Sequence, residues 1–513
     1  MITPFLFLVF LLPSISISQP LTGVFIDCGA TVGSTINGLE WQPDTYYIST
    51  GTSNYITAEG LIPTLSTLRT FPLQNNIFKK FCYEIPVDRT RKYLIRTTYY
   101  YGGMNGNVNP PVFDQIVDGT LWGVVNTTED YVNGNLSYYE GVFMPTGKNL
   151  SVCLSANTYT DSDPFISALE VVLLSDQLYN STNFRANALS VVARHNFGYN
   201  GPVIRYPEDQ FNRYWEPFGE TSSPVINSST LAVSGIWNLP PERVFQTRLQ
   251  NSLAEPLVLI WPPGPLPSSD YYIALYFADD QTSTSGSSRM FDITINGVSY
   301  YNNLSLTQAG INVFANQWPL AGITNLTLIP APGSSVGPLI NAGEVFQVLS
   351  AGERTLPRDV IAMINLRESF GNPPPDWHGD PCLPRQYSWT GVTCSYGPRI
   401  RIVTLNLTSM ALSGSLSRNI ARLTALTGIL LGNNSLSGTI PDLGPLRALE
   451  LLHLEDNQLG GLIPPSLGDL RNLRELFLQN NNLTGQVPVN LTGRPGLTLR
   501  YTPGNPLLSP PQS

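Results

Sequence analysis

Four glycines, Gly414, Gly438, Gly461 and Gly485, recur at steps of 24, 23 and 24 residues, and Leu407, Leu431, Leu454 and Leu478 keep the same steps. A unit this short cannot bury its own apolar face, so it must stack on copies of itself. The segments VTLNLTSMALSGSL, GILLGNNSLSGTIP, LLHLEDNQLGGLIP and RELFLQNNNLTGQVP therefore predict a leucine-rich-repeat solenoid over residues 401–513. Each L-x-L makes a short strand whose leucines enter the core. Asn434, Asn457 and Asn481 sit where buried amides bond the backbone of the adjacent turn, and Met410 takes that place in the first repeat. LTLRYTPGNPLL reads as a degraded fifth repeat that caps the C-terminal end. Between the leucines, Leu430, His453 and Phe477 fall in register as one outward column, expected to bind a protein partner. Apolar side chains on a solvent face signal binding when they form a patch, and scattered surface variation is the alternative.

A solenoid also needs its first layer covered. The stretch Asp376–Cys394, DWHGDPCLPRQYSWTGVTC, stands where that cover is required, within residues 352–400. Cys382 and Cys394 lie twelve positions apart and read as a local disulfide in an exported chain. Closing so short a loop contributes about 3 kcal/mol on the chain-entropy model. Trp389 and Val392 are apolar cover beside it. A cap helix is predicted over Leu356–Phe370, with Val360, Ile361, Ile364 and Leu366 near helical spacing.

Upstream, residues 20–350 hold an internal repeat. Tyr93, Phe113 and Gly119 map onto Tyr271, Phe291 and Gly297 at an offset of 178, and Pro164 and Glu170 onto Pro338 and Glu344 at 174. Both copies read as short strands rich in Val, Ile, Tyr and Thr, punctuated by Gly, Pro and Asn. The expectation is mainly β: two tandem β-sandwich (jelly-roll) units, residues 19–178 and 179–351, ahead of the short solenoid.

Residues 1–18 read as a signal peptide, with an apolar run over Phe5–Leu12 too short to span a membrane. Asn126, Asn135, Asn149, Asn180, Asn227, Asn303, Asn325, Asn406, Asn433, Asn482 and Asn490 each begin an N-x-S/T sequon. The mature chain is therefore expected to be a soluble, secreted glycoprotein of the extracellular space or cell wall, without membrane insertion. Beyond the seam pair, two of Cys28, Cys82 and Cys153 are expected to bond, and all three pairings stay open. A net charge of −9 argues against nucleic acid. The three histidines lie far apart, and neither metal nor nucleotide motifs occur, so no cofactor and no enzyme activity are indicated. Glu170 and Glu344 recur one per unit, as do Asp114 and Asp292, and read as structural rather than as a catalytic carboxylate pair.

FIDCG (Phe25–Gly29), the YLIRTTYYYG strand, FDQIVDG, PFISALEV (Pro164–Val171) and RYPEDQFNRYWEP (Arg205–Pro217) together resemble the plant malectin-like extracellular domains. SGTIP and GLIP resemble the plant-specific class of leucine-rich repeat. With the seam and the repeats, the chain is similar to the ectodomain of malectin-like leucine-rich-repeat receptor kinases, without a membrane helix or a kinase. It is also similar to diglucose-binding proteins with leucine-rich repeats. The resemblance implies a sugar site at strand ends. The matching positions are Tyr100 and Tyr101 in the first unit and Tyr276 and Phe277 in the second, with Asp279, Asp280, Asn105 and Asn107 as polar partners. The alternative is that these aromatics fill the sandwich core. The expected role is a secreted receptor-like recognition protein. Its malectin-like units would bind a cell-wall glycan or secreted peptide, and its repeats a plasma-membrane receptor or co-receptor. The competing reading is a structural cell-wall glycoprotein without signalling.

Overall fold

The computed structural model describes residues 21–58, 60–73, 79–104, 109–219, 233, 235–251, 254–279, 289–306, 309–334 and 336–510. Residues 1–18, expected to be a signal peptide, and Asn105, Asn107, Asn227 and Asp280 lie outside the described residues. The chain divides into two compact units. One holds residues 24–171, 180–191 and 347–513; the other holds 1–23, 172–179 and 192–346.

The first of these contains the N-terminal sandwich and the whole solenoid. Six of its strands are β1 (Lys80–Pro86), β2 (Tyr93–Tyr99), β3 (Val112–Val117), β4 (Thr120–Asn126), β5 (Ser137–Phe143) and β6 (Asn149–Ala156). One sheet runs β1-β6-β3-β4, and β2 pairs antiparallel with β5. Cys82 on β1 is disulfide-bonded to its cross-strand neighbour Cys153 on β6, which leaves Cys28 free and buried. That choice could not be read from spacing, because the bonded pair is 71 residues apart and is set by strand register. Arg96 on β2 is buried between Glu140 and Glu170, at 2.5 and 2.8 Å. A buried charge with two hydrogen-bonded counter-charges is tolerated where a lone one is not.

The second unit carries β7 (Leu257–Ile260), β8 (Leu266–Phe277), β9 (Met290–Ile295), β10 (Val298–Ser305), β11 (Ile311–Gly322), β12 (Asn325–Pro330) and the first five residues of β13 (Ala342–Ser350). Its four-stranded sheet runs β7-β12-β9-β10, and β8 pairs with β11. Glu344 on β13 accepts from Arg194 Nε at 2.6 Å, Tyr179 Oη at 2.7 Å and Tyr276 Oη at 2.6 Å. Glu170 and Glu344 are thus buried ion-pair partners, each inside its own unit.

Helix α1 spans Pro357–Ser369. It buries Asp359, Ala362, Met363 and Leu366; of the four apolar positions expected inward, only Leu366 is buried, and Ile361 faces solvent. The buried carboxylate explains the rotation: Asp359 accepts from Arg401 Nε at 2.8 Å and from the Ile402 backbone N–H at 3.2 Å. The seam behaves as a clamp. Cys382 is bonded to Cys394, and Trp389 stacks on Trp377 at 5.1 Å over the first solenoid layer.

The solenoid strands β14 (Ile402–Asn406), β15 (Gly428–Leu430), β16 (Leu451–His453), β17 (Glu475–Phe477) and β18 (Thr498–Arg500) run parallel in one sheet, which the seam strand Val392–Cys394 opens by pairing antiparallel with β14. Asn457 shows the rung chemistry: its amide donates to the carbonyls of Leu431 and Leu454, and its Oδ1 accepts from Leu436 N–H at 2.9 Å. Asn434 and Asn481 do the same one layer on either side. Asn505 continues the ladder, donating to Leu478 O and accepting from Leu483 N–H, both at 2.9 Å. The fifth repeat is therefore a full rung rather than a degraded one.

Candidate functional site

Solenoid and first sandwich are joined by packed polar contacts, not by a loose tether. Lys80 is buried and donates to the carbonyls of Asp380 and Leu383, the latter at 2.8 Å. Burial pushes its ammonium down to about 8. Tyr387 donates to Asp114 at 2.6 Å. Glu84 faces His378 at 3.5 Å and Arg367 at 3.8 Å. Burial alone would raise its carboxyl, but the His378 hydrogen bond and the Arg367 charge outweigh that and hold it at about 2. Gly379 has φ +63, and a Cβ there would lie 3.3 Å from both sulfurs of the Cys82–Cys153 disulfide. A residue with a side chain would be both strained and crowded at that point.

On this base the solenoid strands present an ordered outward column. Parallel register sets Leu430 beside His453, His453 beside Phe477, and Phe477 beside Arg500. The His453 and Phe477 rings stack at 4.2 Å and 19°. The Arg500 guanidinium lies 4.7 Å from the centroid of the Phe477 ring. His453 Nε2 is 2.8 Å from Glu475 Oε2, which fixes the imidazole. Leu430, His453 and Phe477 are all half-buried rather than fully exposed, since each leans on its neighbour. Asn406 is exposed at the head of the column, in register with Leu430. The column thus offers an aliphatic, a stacked aromatic pair and a cation in sequence. Arg500 escapes a reading by L-x-L because Tyr501 stands where the earlier repeats have their second leucine.

The expected sugar-site residues fare differently, and the structure corrects that expectation. Tyr276 and Phe277 are fully buried on β8, where every residue from Tyr271 to Ala278 is buried. Tyr276 donates to Glu344 and accepts from Asn238 Nδ2 at 3.2 Å, and burial pushes its phenol well above the usual range. Phe277 packs against Phe291 at 5.6 Å. Asp279 is buried and accepts from Arg289 Nε at 2.8 Å. Tyr101 is buried edge-on to Tyr131. Of the five, Tyr100 alone keeps partial exposure. The physical reason is that both faces of β8 are covered. The unbroken run YYIALYFA was the available signal, because a one-face strand alternates and this one does not.

Comparison with known proteins agrees with this architecture. The model of the malectin-like domain matches residues 26–348. The leucine-rich-repeat N-terminal domain matches 356–395, and leucine-rich repeats match 448–470 and 472–493. The probable LRR receptor-like serine/threonine-protein kinase PAM74 of Arabidopsis thaliana is 30% identical over 422 residues, 79% of this chain and 46% of that protein. The probable LRR receptor-like serine/threonine-protein kinase At1g51880 of the same plant is 30% identical over 475 residues, 89% of this chain and 53% of that protein. The chain thus spans about half the length of the curated relatives it matches. Among solved structures, the ANX2 ectodomain from Arabidopsis thaliana has a TM-score of 0.52 at 16% identity, covering 64% of this chain and 97% of that one. The plant peptide RALF23 in complex with FER and LLG2 gives 0.50 at 17%, over 64% and 95%. At these identities the likeness is one of fold. Among the described residues, no helix is long and apolar enough to cross a membrane.

Proposed function

We infer function from one premise: this chain belongs to the malectin-like domain family and carries leucine-rich repeats after that domain. Its role is extracellular recognition, reached through export and N-glycosylation. The malectin-like domain takes a cell-wall carbohydrate or a secreted peptide, and the solenoid column takes a plasma-membrane receptor or co-receptor. The observation that carries this reading is the registered column Leu430–His453–Phe477–Arg500. Four consecutive strands place apolar, aromatic and cationic side chains in line, the composition enriched where proteins meet. A neighbouring fold solved with a bound peptide supports the peptide alternative for the malectin-like domain. Tyr100 is the ligand contact among the five tyrosine, phenylalanine and aspartate positions. Tyr101, Tyr276, Phe277 and Asp279 act by holding the strand ends in place.

Two binding experiments test the two halves. A glycan and peptide array with Tyr100→Ala separates ligand contact from core packing, and unchanged binding removes Tyr100 from the site. Affinity capture on intact plant plasma membranes with Phe477→Ala tests the column. The expected result is loss of the receptor partner with the fold intact.

A further inference from the structure

The four-stranded sheets of the two sandwiches have four edge strands between them, β1 and β4 in the first unit and β7 and β10 in the second. An exposed edge offers unpaired backbone groups to any other strand, and proteins cover or charge such edges. β1 is met along its edge, where the Glu84 N–H donates to Tyr47 O at 3.0 Å, and the solenoid cap covers its face through Lys80 and Glu84. β4 and β10 each carry the first residue of a sequon, and β7 faces one on its neighbour β12.

On β7, Val258 and Ile260 point outward, 60% and 58% exposed. Leu257–Ile260 contains no charge to discourage pairing. Ile260 stands directly opposite Asn325 on β12, and Val258 opposite Thr327. Directly opposed residues share a face. Asn325 and Thr327 are the two ends of one sequon, and Leu326 between them is buried. β4 repeats the arrangement with different residues. Leu121 and Val124 are 41% and 49% exposed, and the strand ends on exposed Asn126, first residue of Asn126-Thr127-Thr128. Val124 and Asn126 are two apart on one strand and so share a face. β10 bears exposed Tyr301 and, two residues on, exposed Asn303 of Asn303-Leu304-Ser305.

We propose that N-acetylglucosamine-linked glycans on Asn126, Asn303 and Asn325 close the edges at β4, β10 and β7, and keep these sheets from pairing edge to edge with other chains. The glycan of Asn325 lies over Ile260 and Val258, with the apolar faces of its sugar rings against the aliphatic side chains. This inference rests on the export proposed above, and it leaves the solenoid column as the surface free for a partner.

The test uses the full chain secreted from plant cells. Glycopeptide mass spectrometry reads occupancy at each sequon, and light scattering reads the oligomeric state across a concentration series. Wild type and Thr327→Ser, which keeps the sequon, are expected to be glycosylated at Asn325 and monomeric. Asn325→Gln is expected to self-associate, and adding Ile260→Lys to it is expected to restore the monomer by charging the edge. Enzymatic removal of glycans from the folded, secreted wild type makes the same measurement without a substitution and is expected to cause the same association. Occupied sequons elsewhere with Asn325 bare would overturn this inference alone. So would deglycosylated protein that stays monomeric. A chain with every sequon empty would overturn the export reading and this inference together.

Discussion

The second sandwich and the solenoid both carry aromatic side chains on strands, and they use them in opposite ways. On β8 both faces of the strand are covered, so Tyr276 and Phe277 are structural: one completes the hydrogen bonds of Glu344, the other fills the core. On β16 and β17 only the leucine face is covered. His453 and Phe477 therefore stack on one another at the surface, between Leu430 and Arg500. An aromatic residue is available to a partner when its strand has a face left open. Its place in a family motif does not decide this.

Substitutions sharpen that contrast. Glu344→Ala should have the largest effect, because it removes the buried carboxylate that accepts from Arg194, Tyr179 and Tyr276. We expect a loss of roughly 3–5 kcal/mol in denaturant unfolding of the second unit. Tyr276→Phe keeps the ring and removes one hydrogen bond to the carboxylate, so a loss of about 1.5–3 kcal/mol is expected. Asn457→Ala should cost about 2–3 kcal/mol by orphaning backbone groups on both sides of a rung, read as a lowered unfolding midpoint of the solenoid. At the other extreme, Phe477→Ala should change stability by about 1 kcal/mol or less while weakening partner binding roughly tenfold or more. A Tyr276→Phe variant as stable as wild type would break the contrast from one side, and a Phe477→Ala variant that unfolds would break it from the other.

The joint between sandwich and solenoid predicts an acid response. Glu84 is held at about 2 against an ordinary 4.5, so its folded form binds protons less readily than the unfolded chain. The stability it contributes is whole above 4.5 and is lost as pH falls through about 2. The expected size is roughly 2 kcal/mol after discounting for partial exposure. Glu84→Gln should flatten that part of the stability-versus-pH curve, measured by thermal unfolding between pH 5 and 2.

How much of this was legible in advance follows from which residues decide each feature. The repeats could be read because each rung is satisfied by its immediate neighbours: the Leu and Asn positions carry their own partners 21 to 27 residues away, at a fixed step. The seam disulfide was legible for the same reason. The unbroken run around Tyr276 signals its burial but not its partners, since Glu344 and Asn238 reach it from 68 and 38 residues away with no period to announce them. The contact between Lys80 and Leu383 spans 303 residues and left no trace in either segment. The inward turn of α1 was misjudged because Asp359, a charged residue, takes a core position that apolar spacing would give to Val360 or Ile361.

Partner binding by the solenoid column is open to direct measurement. Wild-type and Phe477→Ala proteins, matched in unfolding midpoint, can be compared quantitatively for capture on intact plasma membranes. The account predicts a specific membrane protein retained by the wild type and lost with the variant, and restored by Phe477→Tyr. Identical capture by both proteins would contradict it.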